Sequence, residues 1–446
     1  MKNLIKTLKN IWSIEELRSK ILYTLLLLFI YRVGTHIVLP GINPLGLDEL
    51  NKSANSGILG LINTFAGGAF SQASIFALGI MPYISASIFI QLMTVLVPQF
   101  QKMQKEGESG RKKINQWTRY LTVAVTAVQA SAYVAYLRQI TAQGGGILPG
   151  YADYFWLSTV IVLTAGTLFV MWLGEKITDK GLGNGTSIII MIGILARLPQ
   201  AFMQELGSKA VRSGTILVFI IEIAILIAII LGCIMLVQGV RKIPVNYAKQ
   251  IVGNRQFGGA RQFLPIKVNS AGVMPIIFAQ AVLFLPTLFN LTGTVTGKGI
   301  ASAFQDHSNI PYMIVYAVVV IGFTFLYTAL IFNPKQIADN LKQNNGFIPG
   351  VKPGQPTTDF IGAIMDKVTL PGAILLALVG ILPGIAQRLG VQPSFSTFFG
   401  GTSLLIMVGV ILDTLQQIET QLLMRQYDGL MKSGRIQGRT VTQASY

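Results

Sequence analysis

Residues of the types that catalyse reactions or bind metals are scarce in this sequence. The 446-residue chain has two histidines, His36 and His307, and one cysteine, Cys233. A zinc protease of the His-Glu-x-x-His type needs two histidines one helical turn apart, and the sequence has no such pair. One cysteine forms neither an intrachain disulfide nor a two-cysteine metal or redox motif, so we expect Cys233 to be a core residue. We therefore expect no metal site and no cofactor.

Other enzyme classes find little support. The sequence has no phosphate-binding loop of the Walker type, so we expect the chain not to hydrolyse nucleotide. A serine protease is harder to exclude because serines and two histidines are present, but no nucleophile motif stands out. We expect that the chain is not an enzyme.

Ionisable residues are also rare inside the apolar segments. Glu222 is one of them, and others occur only near segment ends, at Arg32, His36, Asp413 and Glu419. A solute transporter would need polar or ionisable groups at the membrane midplane to pair with its substrate or coupling ion. Glu222 is a candidate proton site, but a single acid more often pairs with a neighbouring helix, a partner subunit or interfacial water.

Two matching hexapeptides are the most informative pattern. GIMPYI at 79–84 is echoed by GVMPII at 272–277, near the starts of the second and seventh predicted spans. An odd number of spans separates the copies, so the two halves would face the membrane in opposite senses, as in an inverted-topology repeat. Isoleucines dominate the path that such halves would enclose. An apolar constriction closes a pore to ions by excluding water, although ordinary helix packing is the alternative for any one isoleucine.

Composition supports a membrane protein with many spans. Hydrophobic residues make up 52% of the chain and charged residues only 12%, whereas soluble domains carry about 25% charged residues. Segments long enough to cross a hydrocarbon core of about 30 Å give ten predicted spans. They are residues 21–39, 73–97, 120–137, 154–173, 186–202, 214–237, 271–291, 311–332, 368–385 and 403–418.

The basic residues predict the orientation. With these spans, most of the 35 Lys and Arg residues fall in loops on one side. Basic loops remain cytoplasmic, so we expect both termini to be cytoplasmic. The basic N-terminus before the first apolar run resembles a signal peptide, but no small-residue cleavage site follows, and we expect a retained first span.

One apolar segment is too short to span. Residues 58–70 are interrupted by glycines, and at about 1.5 Å per residue the segment would reach only about 20 Å. It could lie in the interface as an amphipathic helix. The alternative is a re-entrant segment covered by protein or water.

Five longer motifs resemble the bacterial SecY family, which forms the central subunit of the Sec protein translocase. They are FALGIMPYISASI (76–88), EGESGRKKINQ (106–116), GLGNG (181–185), IPVNYA (243–248) and FGGTSLLI (399–406). The likeness runs from about Leu4 to Lys432. It implies an all-α membrane protein, with two inverted five-helix halves around an hourglass pore and a re-entrant plug helix. The halves would be residues 21–210 and 211–432, flanked by a cytoplasmic N-terminus (1–20) and a cytoplasmic tail (433–446).

The resemblance also implies roles for individual residues. The pore ring would be Ile80, Ile84, Thr186, Ile190, Ile277 and Ile406. Thr186 departs from the apolar residue usual there. We expect a modest effect on the seal because its hydroxyl can bond to the preceding helical turn. The plug would be Ile58, Leu59, Leu61, Ile62, Phe65 and Phe70. The lateral gate would include Ser85, Gln129 and Asn269, although each could instead cap or pack locally.

Partners follow from the resemblance as well. The loops at about 239–269 and 333–367 would bind the SecA motor ATPase or the ribosome, through Arg241, Lys242, Lys249, Arg255, Arg261 and Lys352. Lys352 stands where the family typically has arginine, which keeps the charge but loses the bidentate fork. Basic loops are also retained by anionic lipids. SecE-like and SecG-like membrane subunits would complete the channel, whose substrates are secretory and membrane proteins in the cytoplasmic membrane. The rival hypotheses are a secondary transporter and an intramembrane protease.

Overall fold

The computed structural model describes most of the chain and is mainly helical. The described residues are Trp12, 14–43, Gly60, 63–141, 154–210, 216–247, 250–252, 255–257, 261–280 and 309–432. The helices are α1 (Glu15–Gly34), α2 (Met81–Leu96), α3 (Pro98–Lys105), α4 (Glu108–Thr141), α5 (Phe155–Lys180), α6 (Gly185–Ala210), α7 (Ile216–Gln238), α8 (Ile310–Ile331), α9 (Pro334–Gln343), α10 (Gln355–Arg388), α11 (Pro393–Ser396) and α12 (Gly401–Lys432). The strands are β1 (Val240–Tyr247), β2 (Gln250–Val252), β3 (Arg255–Phe257), β4 (Arg261–Lys267) and β5 (Gly346–Phe347).

Seven of the described helices are long and apolar enough to cross a membrane, namely α4, α5, α6, α7, α8, α10 and α12. Their outward faces leave large apolar side chains uncovered, such as Leu217, which is 66% exposed, and Met235, which is 76% exposed. A surface so rich in exposed aliphatic groups is unfavourable in water and favourable in hydrocarbon. The fold is that of a multi-pass membrane protein.

The first two predicted spans differ from the helices observed. Helix α1 ends at Gly34, earlier than the predicted segment 21–39. Residues 75–80 form turns, so the second helix begins at Met81 and not at 73. Helices α2 and α3 then meet at 99° across Val97. Pro98 explains this bend because its ring disfavours a helical conformation at the preceding residue.

The predicted number of ten spans stays a prediction. Helix α1 and the bent α2–α3 pair occupy the places of the first two spans. Residues 274–280 are helical at the start of the seventh, but its remainder lies outside the described residues. The seventh predicted span is therefore described only at its N-terminal end.

The basic segment after α7 contains strands that the sequence analysis did not predict. β1 and β4 pair antiparallel, with Val240 opposite Lys267 and Asn246 opposite Arg261. β5, from the second predicted loop, continues the sheet by placing Phe347 opposite Asn246. The two loops are thus joined by backbone hydrogen bonds.

A small hydrophobic core fixes this junction. We call β1, β4, β5, α9 and the beginning of α10 the loop platform. Its buried side chains come from both loops and from α10, and they are Ile243, Val245, Ile266, Leu341, Ile348, Ile361 and Met365. Side chains packed in this way hold the two loops as one body at the end of the helical bundle.

Candidate functional site

The two hexapeptides have the same local structure. Gly79 has a φ of 55° and Gly272 a φ of 65°, a left-handed conformation that only glycine adopts readily. A helix begins two residues later in each copy, at Met81 and at Met274. The equivalent hydrogen bonds form, because the Ile84 amide donates to the Ile80 carbonyl and the Ile277 amide donates to the Val273 carbonyl. The sequence repeat is therefore also a structural repeat.

The structure brings most of the predicted pore-ring isoleucines together. Ile80, Ile190 and Ile406 are buried in one hydrophobic cluster, which we call the central cluster, and Ile84 packs against it. These side chains come from the α2 N-terminus, α6 and α12, which are far apart in sequence. Their convergence in one apolar group is what a water-excluding constriction requires.

One predicted pore-ring residue lies outside the central cluster, and a residue that was not predicted packs against the cluster. Ile277 is half-buried and does not belong to the central cluster in the described part of the chain. Val273, which the repeat aligns with Ile80, does pack against that cluster. The alignment of the hexapeptides could have identified Val273, because the first residue after each glycine occupies the same place.

Thr186 keeps its hydroxyl satisfied, but not as expected. Its Oγ1 donates to Oδ1 of Asn184 at 2.6 Å, and the same oxygen accepts from the Thr186 amide at 3.1 Å. Thr186 lies in the first turn of α6, so no preceding helical turn exists to accept the bond. The prediction of a bond to the preceding turn was wrong. Thr186 instead takes part in a side-chain cap of α6.

The predicted plug is described from residue 63 onward, together with Gly60. Phe65 is buried in the central cluster beside Ile80 and Ile190, whereas Phe70 packs in a second cluster with Tyr133. Ile58, Leu59, Leu61 and Ile62 lie outside the described residues. The observed part folds back into protein, which is how backbone that does not span satisfies itself at membrane depth.

Two glycines bring this segment against α6. A Cβ on Gly193 would lie 2.8 Å from the Phe65 carbonyl oxygen, and a Cβ on Gly67 would lie 2.9 Å from the Gly193 Cα. Distances this short leave no room for a side chain at either position. The close approach of this segment to α6 is therefore made at Gly67, with Gly193 as its counterpart.

Two polar side chains that the sequence analysis did not assign hold the same segment. Nη1 of Arg32 donates to the Gly67 carbonyl oxygen at 2.8 Å. The Tyr133 hydroxyl donates to the Phe70 carbonyl oxygen at 2.7 Å, and the Tyr133 and Phe70 ring centroids are 4.7 Å apart. Arg32 was visible in the sequence as a charge that interrupts an apolar run, which is a signal for a buried partner.

The three predicted gate residues make no bond across the bundle in the described part of the chain. The Ser85 hydroxyl donates to the Met81 carbonyl oxygen of its own helix, which is the local alternative. Gln129 and Asn269 are half-buried, and Oδ1 of Asn269 has no partner among the described residues. A different pair joins α2 to α8, because the Tyr327 hydroxyl lies 2.9 Å from Oε1 of Gln91.

An open cavity with a mixed polar and apolar lining lies next to the central cluster, two of whose residues, Ala201 and Phe398, are in its wall. Its volume is about 1120 Å³ including the mouth. Four glutamines line it, at Gln200, Gln204, Gln280 and Gln387, and Arg197 is the one charged residue among the described lining. Thr64, which precedes Phe65, also reaches the lining. The central cluster and the segment that carries Phe65 thus both form part of the cavity wall.

Glu222 is part of a buried charge group that also includes Glu205 and Lys209. Lys209 Nζ lies 3.0 Å from Oε1 of Glu222 and 3.5 Å from Oε1 of Glu205. It also donates to the Gly390 carbonyl oxygen, while Oε2 of Glu205 accepts from the Gln392 amide. Glu222 therefore pairs with a neighbouring helix, and the group ties α6 to α7 and to the segment after α10.

The exposed basic residues of the loop platform do not line the cavity described above. Arg241 and Lys242 are exposed on β1, and Lys352 is exposed in the turn before α10. Lys249 lies outside the described residues, and Arg255 and Arg261 are described through their strands. The described basic side chains form an open, solvent-facing surface.

Residues 74–415 match the SecY family model. The chain belongs to the SecY family. The sequence similarity to curated relatives extends over nearly the whole chain. This chain is 41% identical over 439 residues to the protein translocase subunit SecY of Mycobacterium bovis, covering 94% of this chain and 97% of the relative. It is 42% identical over 431 residues to the protein translocase subunit SecY of Streptomyces scabiei, with the same coverage.

Solved structures share the SecY-family fold. One described as the structure of a protein conducting channel superposes with a TM-score of 0.58 at 17% identity, covering 96% of this chain and 95% of that chain. Sec61 in the canine ribosome-channel complex superposes with a TM-score of 0.56 at 15% identity, with the same coverage.

Proposed function

We propose that this chain forms the channel of a protein translocase. It would pass unfolded secretory chains across the cytoplasmic membrane and release transmembrane segments sideways into the lipid. The observation that carries the proposal is the central cluster, in which isoleucines from three helices meet Phe65 of a segment folded back into the bundle. An apolar constriction filled by a retractable segment blocks ions and yet binds no particular side chain.

The structural repeat supports a division into two halves. We place the N-terminal half at residues 21–210 and the C-terminal half at 211–432, with one hexapeptide helix in each. Matching glycine conformations and helix starts at Met81 and Met274 support two inverted copies. The space between the copies is the path that we assign to the translocating chain.

A secondary transporter is the rival function. It would need convergent polar groups at the centre of the bundle. The described residues that meet there are apolar, whereas the glutamines and Arg197 line the cavity beside them. Oε1 of Glu222 is paired with Lys209, a cation on a neighbouring helix. These placements favour a channel, and as a channel subunit the chain would catalyse no reaction.

The loop platform is the candidate docking surface for the source of energy, either the SecA motor ATPase or the ribosome. Its exposed basic side chains suit phosphate groups of ribosomal RNA, and such contacts would be salt-sensitive. The canine relative of known structure is a ribosome-channel complex. SecE-like and SecG-like subunits and anionic lipids remain proposed partners. Basic loops on this side support cytoplasmic termini.

Site-specific photocrosslinking to a stalled secretory chain tests the proposal. A photoreactive residue at Ile84 or Ile190 should crosslink to the stalled chain, and the crosslink should disappear when the signal sequence is disabled. The matched control is Met235, which is 76% exposed on the outer face of α7. Crosslinks at Met235 but at neither isoleucine, with a chain shown to be targeted and stalled, would contradict a central pore and favour the transporter.

A further inference from the structure

Four glutamine side chains from three helices line the cavity beside the central cluster. Gln200 and Gln204 lie one turn apart on α6. Gln280 belongs to the helix of the second hexapeptide copy, and Gln387 lies near the end of α10. Each side-chain amide has one carbonyl acceptor and an NH2 group with two donors. The lining therefore offers donors and acceptors together, with Arg197 as the one charged residue among its described members.

The position of the cavity along α10 places it at the opposite end of the bundle from the loop platform. Met365 belongs to the platform core, and Gln387 on the same helix lines the cavity. At a rise of about 1.5 Å per residue, the two positions are about 33 Å apart along the helix. Phe398 belongs both to the central cluster and to the cavity wall. A polypeptide that enters from the platform side therefore reaches the cavity after the constriction.

The glutamines of the cavity differ in their freedom to bind another molecule. Nε2 of Gln387 donates to the Ser396 hydroxyl at 2.9 Å, which holds that amide in the wall. Gln200 and Gln204 are exposed, and their side chains make no hydrogen bond to another described residue. These two amides are therefore available to a polypeptide in the cavity.

Bonds of the neighbouring charge group fix the part of α6 that carries these two glutamines. Glu205 follows Gln204, and its Oε2 accepts from the Gln392 amide at 2.9 Å. Lys209, one turn later, donates to the Gly390 carbonyl oxygen at 3.2 Å. These bonds tie α6 to the turn before α11, and α11 itself lines the cavity. The wall is therefore preorganised, which lowers the cost of binding.

We propose that the cavity binds the main chain of a translocating polypeptide through the amides of Gln200 and Gln204. The inference rests on the proposed channel function. A peptide group has one N–H donor and one C=O acceptor, and a side-chain amide pairs with both. Every residue except proline carries both groups, so binding does not depend on the side chains of the cargo. Each bond replaces one to water and gains little, so the polypeptide is slowed and not trapped.

The test measures backward sliding of an arrested substrate in inverted membrane vesicles that contain the full-length protein, its proposed partner subunits and the motor ATPase. A folded C-terminal domain stops the substrate part-way, nucleotide is removed, and the loss of protease protection gives the sliding rate. Gln200→Met and Gln204→Met keep the side-chain length and remove the amide. Each should raise the rate about threefold, the size expected for one hydrogen bond. The control is Gln416→Met, at an exposed position of α12 outside the described cavity lining, and it should match the wild type.

A second pair of substrates distinguishes main-chain binding from side-chain binding. One substrate places a proline-rich stretch in the cavity at arrest, and the other has alanine in place of each proline. Proline has no N–H to donate, so the proline-rich substrate should slide back faster in the wild type. The difference between the two substrates should shrink in the variant that carries both Gln200→Met and Gln204→Met, because the amides that detect the N–H groups are gone.

Equal yields of arrested substrate before nucleotide is removed show that the variants fold and insert. Equal sliding rates for the wild type and both single variants then overturn the main-chain site alone. A rate that follows the charge of the stretch in the cavity also overturns it, because Arg197 would then hold the polypeptide. Absence of any protected intermediate in the wild type, with the substrate shown to be targeted, overturns the channel function and the site together.

Discussion

Nη1 of Arg32 lies 2.8 Å from the carbonyl oxygen of Gly67. The bond reaches from the end of α1 to the segment that we assign as the plug, and Gly67 is also in close contact with α6. The Arg32 guanidinium bonds to the backbone of that segment, so the bond requires no side chain at Gly67, where a Cβ would not fit. The stability of the closed state should therefore depend on Arg32.

Removing the guanidinium should make the closed channel leak. Arg32→Met eliminates a charge-assisted bond, so ion flux through vesicles without substrate should rise by about tenfold. The measurement is the rate of ion release from vesicles that contain the purified channel. Arg18→Met is the control, because Arg18 is exposed near the other end of α1. Equal flux for Arg32→Met and the wild type would show that the bond does not hold the closed state.

A methyl group at Gly193 should displace the same segment. Gly193→Ala places a Cβ 2.8 Å from the Phe65 carbonyl oxygen, so the plug must shift and the leak should increase. Gly207→Ala on the same helix meets no atom within 4 Å, and alanine favours a helix over glycine. It should leave flux unchanged and maintain or slightly raise the thermal unfolding midpoint. A leak of the same size in both variants would argue against a specific contact.

Loss of Lys209 should destabilise the fold. Lys209→Met leaves Glu205 and Glu222 buried without their cation, a cost of about 3 kcal/mol for a broken buried pair. Thermal unfolding in detergent measures the effect. Adding Glu222→Gln should recover part of the lost stability, because one buried charge is removed, and Lys180→Met at an exposed site should have no effect. An unchanged midpoint for Lys209→Met would mean that water compensates the carboxylates.

Neutralising the exposed arginine and lysine of β1 should weaken ribosome binding. Arg241→Gln with Lys242→Gln should lower affinity and reduce the slope of log affinity against log salt by roughly 0.7 to 0.9 for each lost phosphate contact. Sedimentation of ribosomes with vesicles at several salt concentrations gives both quantities. Lys180→Gln on the same proposed side is the control. A fall in affinity with no change in slope would indicate that the two residues support the strand and do not contact phosphate.

Substitution of Ser85 should have little effect on gate opening. The Ser85 hydroxyl bonds to the Met81 carbonyl of its own helix, so Ser85→Ala breaks no contact between helices. Translocation of a weak-signal substrate should remain within about 1.5-fold of the wild type, less than one membrane hydrogen bond would change it. A threefold gain for Ser85→Ala would show that this serine restrains the gate after all.

The parts of the fold that were predictable from the sequence depend on local patterns. Long apolar runs predicted the positions of α4 to α8, α10 and α12, because membrane spans must satisfy their own backbone hydrogen bonds. The hexapeptides predicted a repeat, and the structure gives both copies the same glycine conformation and helix start, because glycine and proline act on the residues beside them. The start of α2 was misplaced, since apolar content alone does not distinguish turns at 75–80 from a helix.

The contacts that hold the site were harder to predict because they join residues that are distant in sequence. Gln91 and Tyr327 are separated by 236 positions, and neither belongs to a motif. Ser85, Gln129 and Asn269 were chosen by resemblance, and a hydroxyl or amide in a helix can bond locally as easily as across a gate. The pairing of β5 with β1 likewise depends on two loops meeting in space.

The contact between Gly67 and Gly193 has a consequence for the ion permeability of the membrane that contains the channel. Where the segment around Phe65 meets α6, the barrier is formed by main chain against main chain, with a Cβ position on Gly67 only 2.9 Å from the Gly193 Cα. A larger residue at either position would prevent the segment from packing against α6. A cell that stores energy as an ion gradient would then depend, at each copy of this protein, on two residues that have only a hydrogen atom as a side chain.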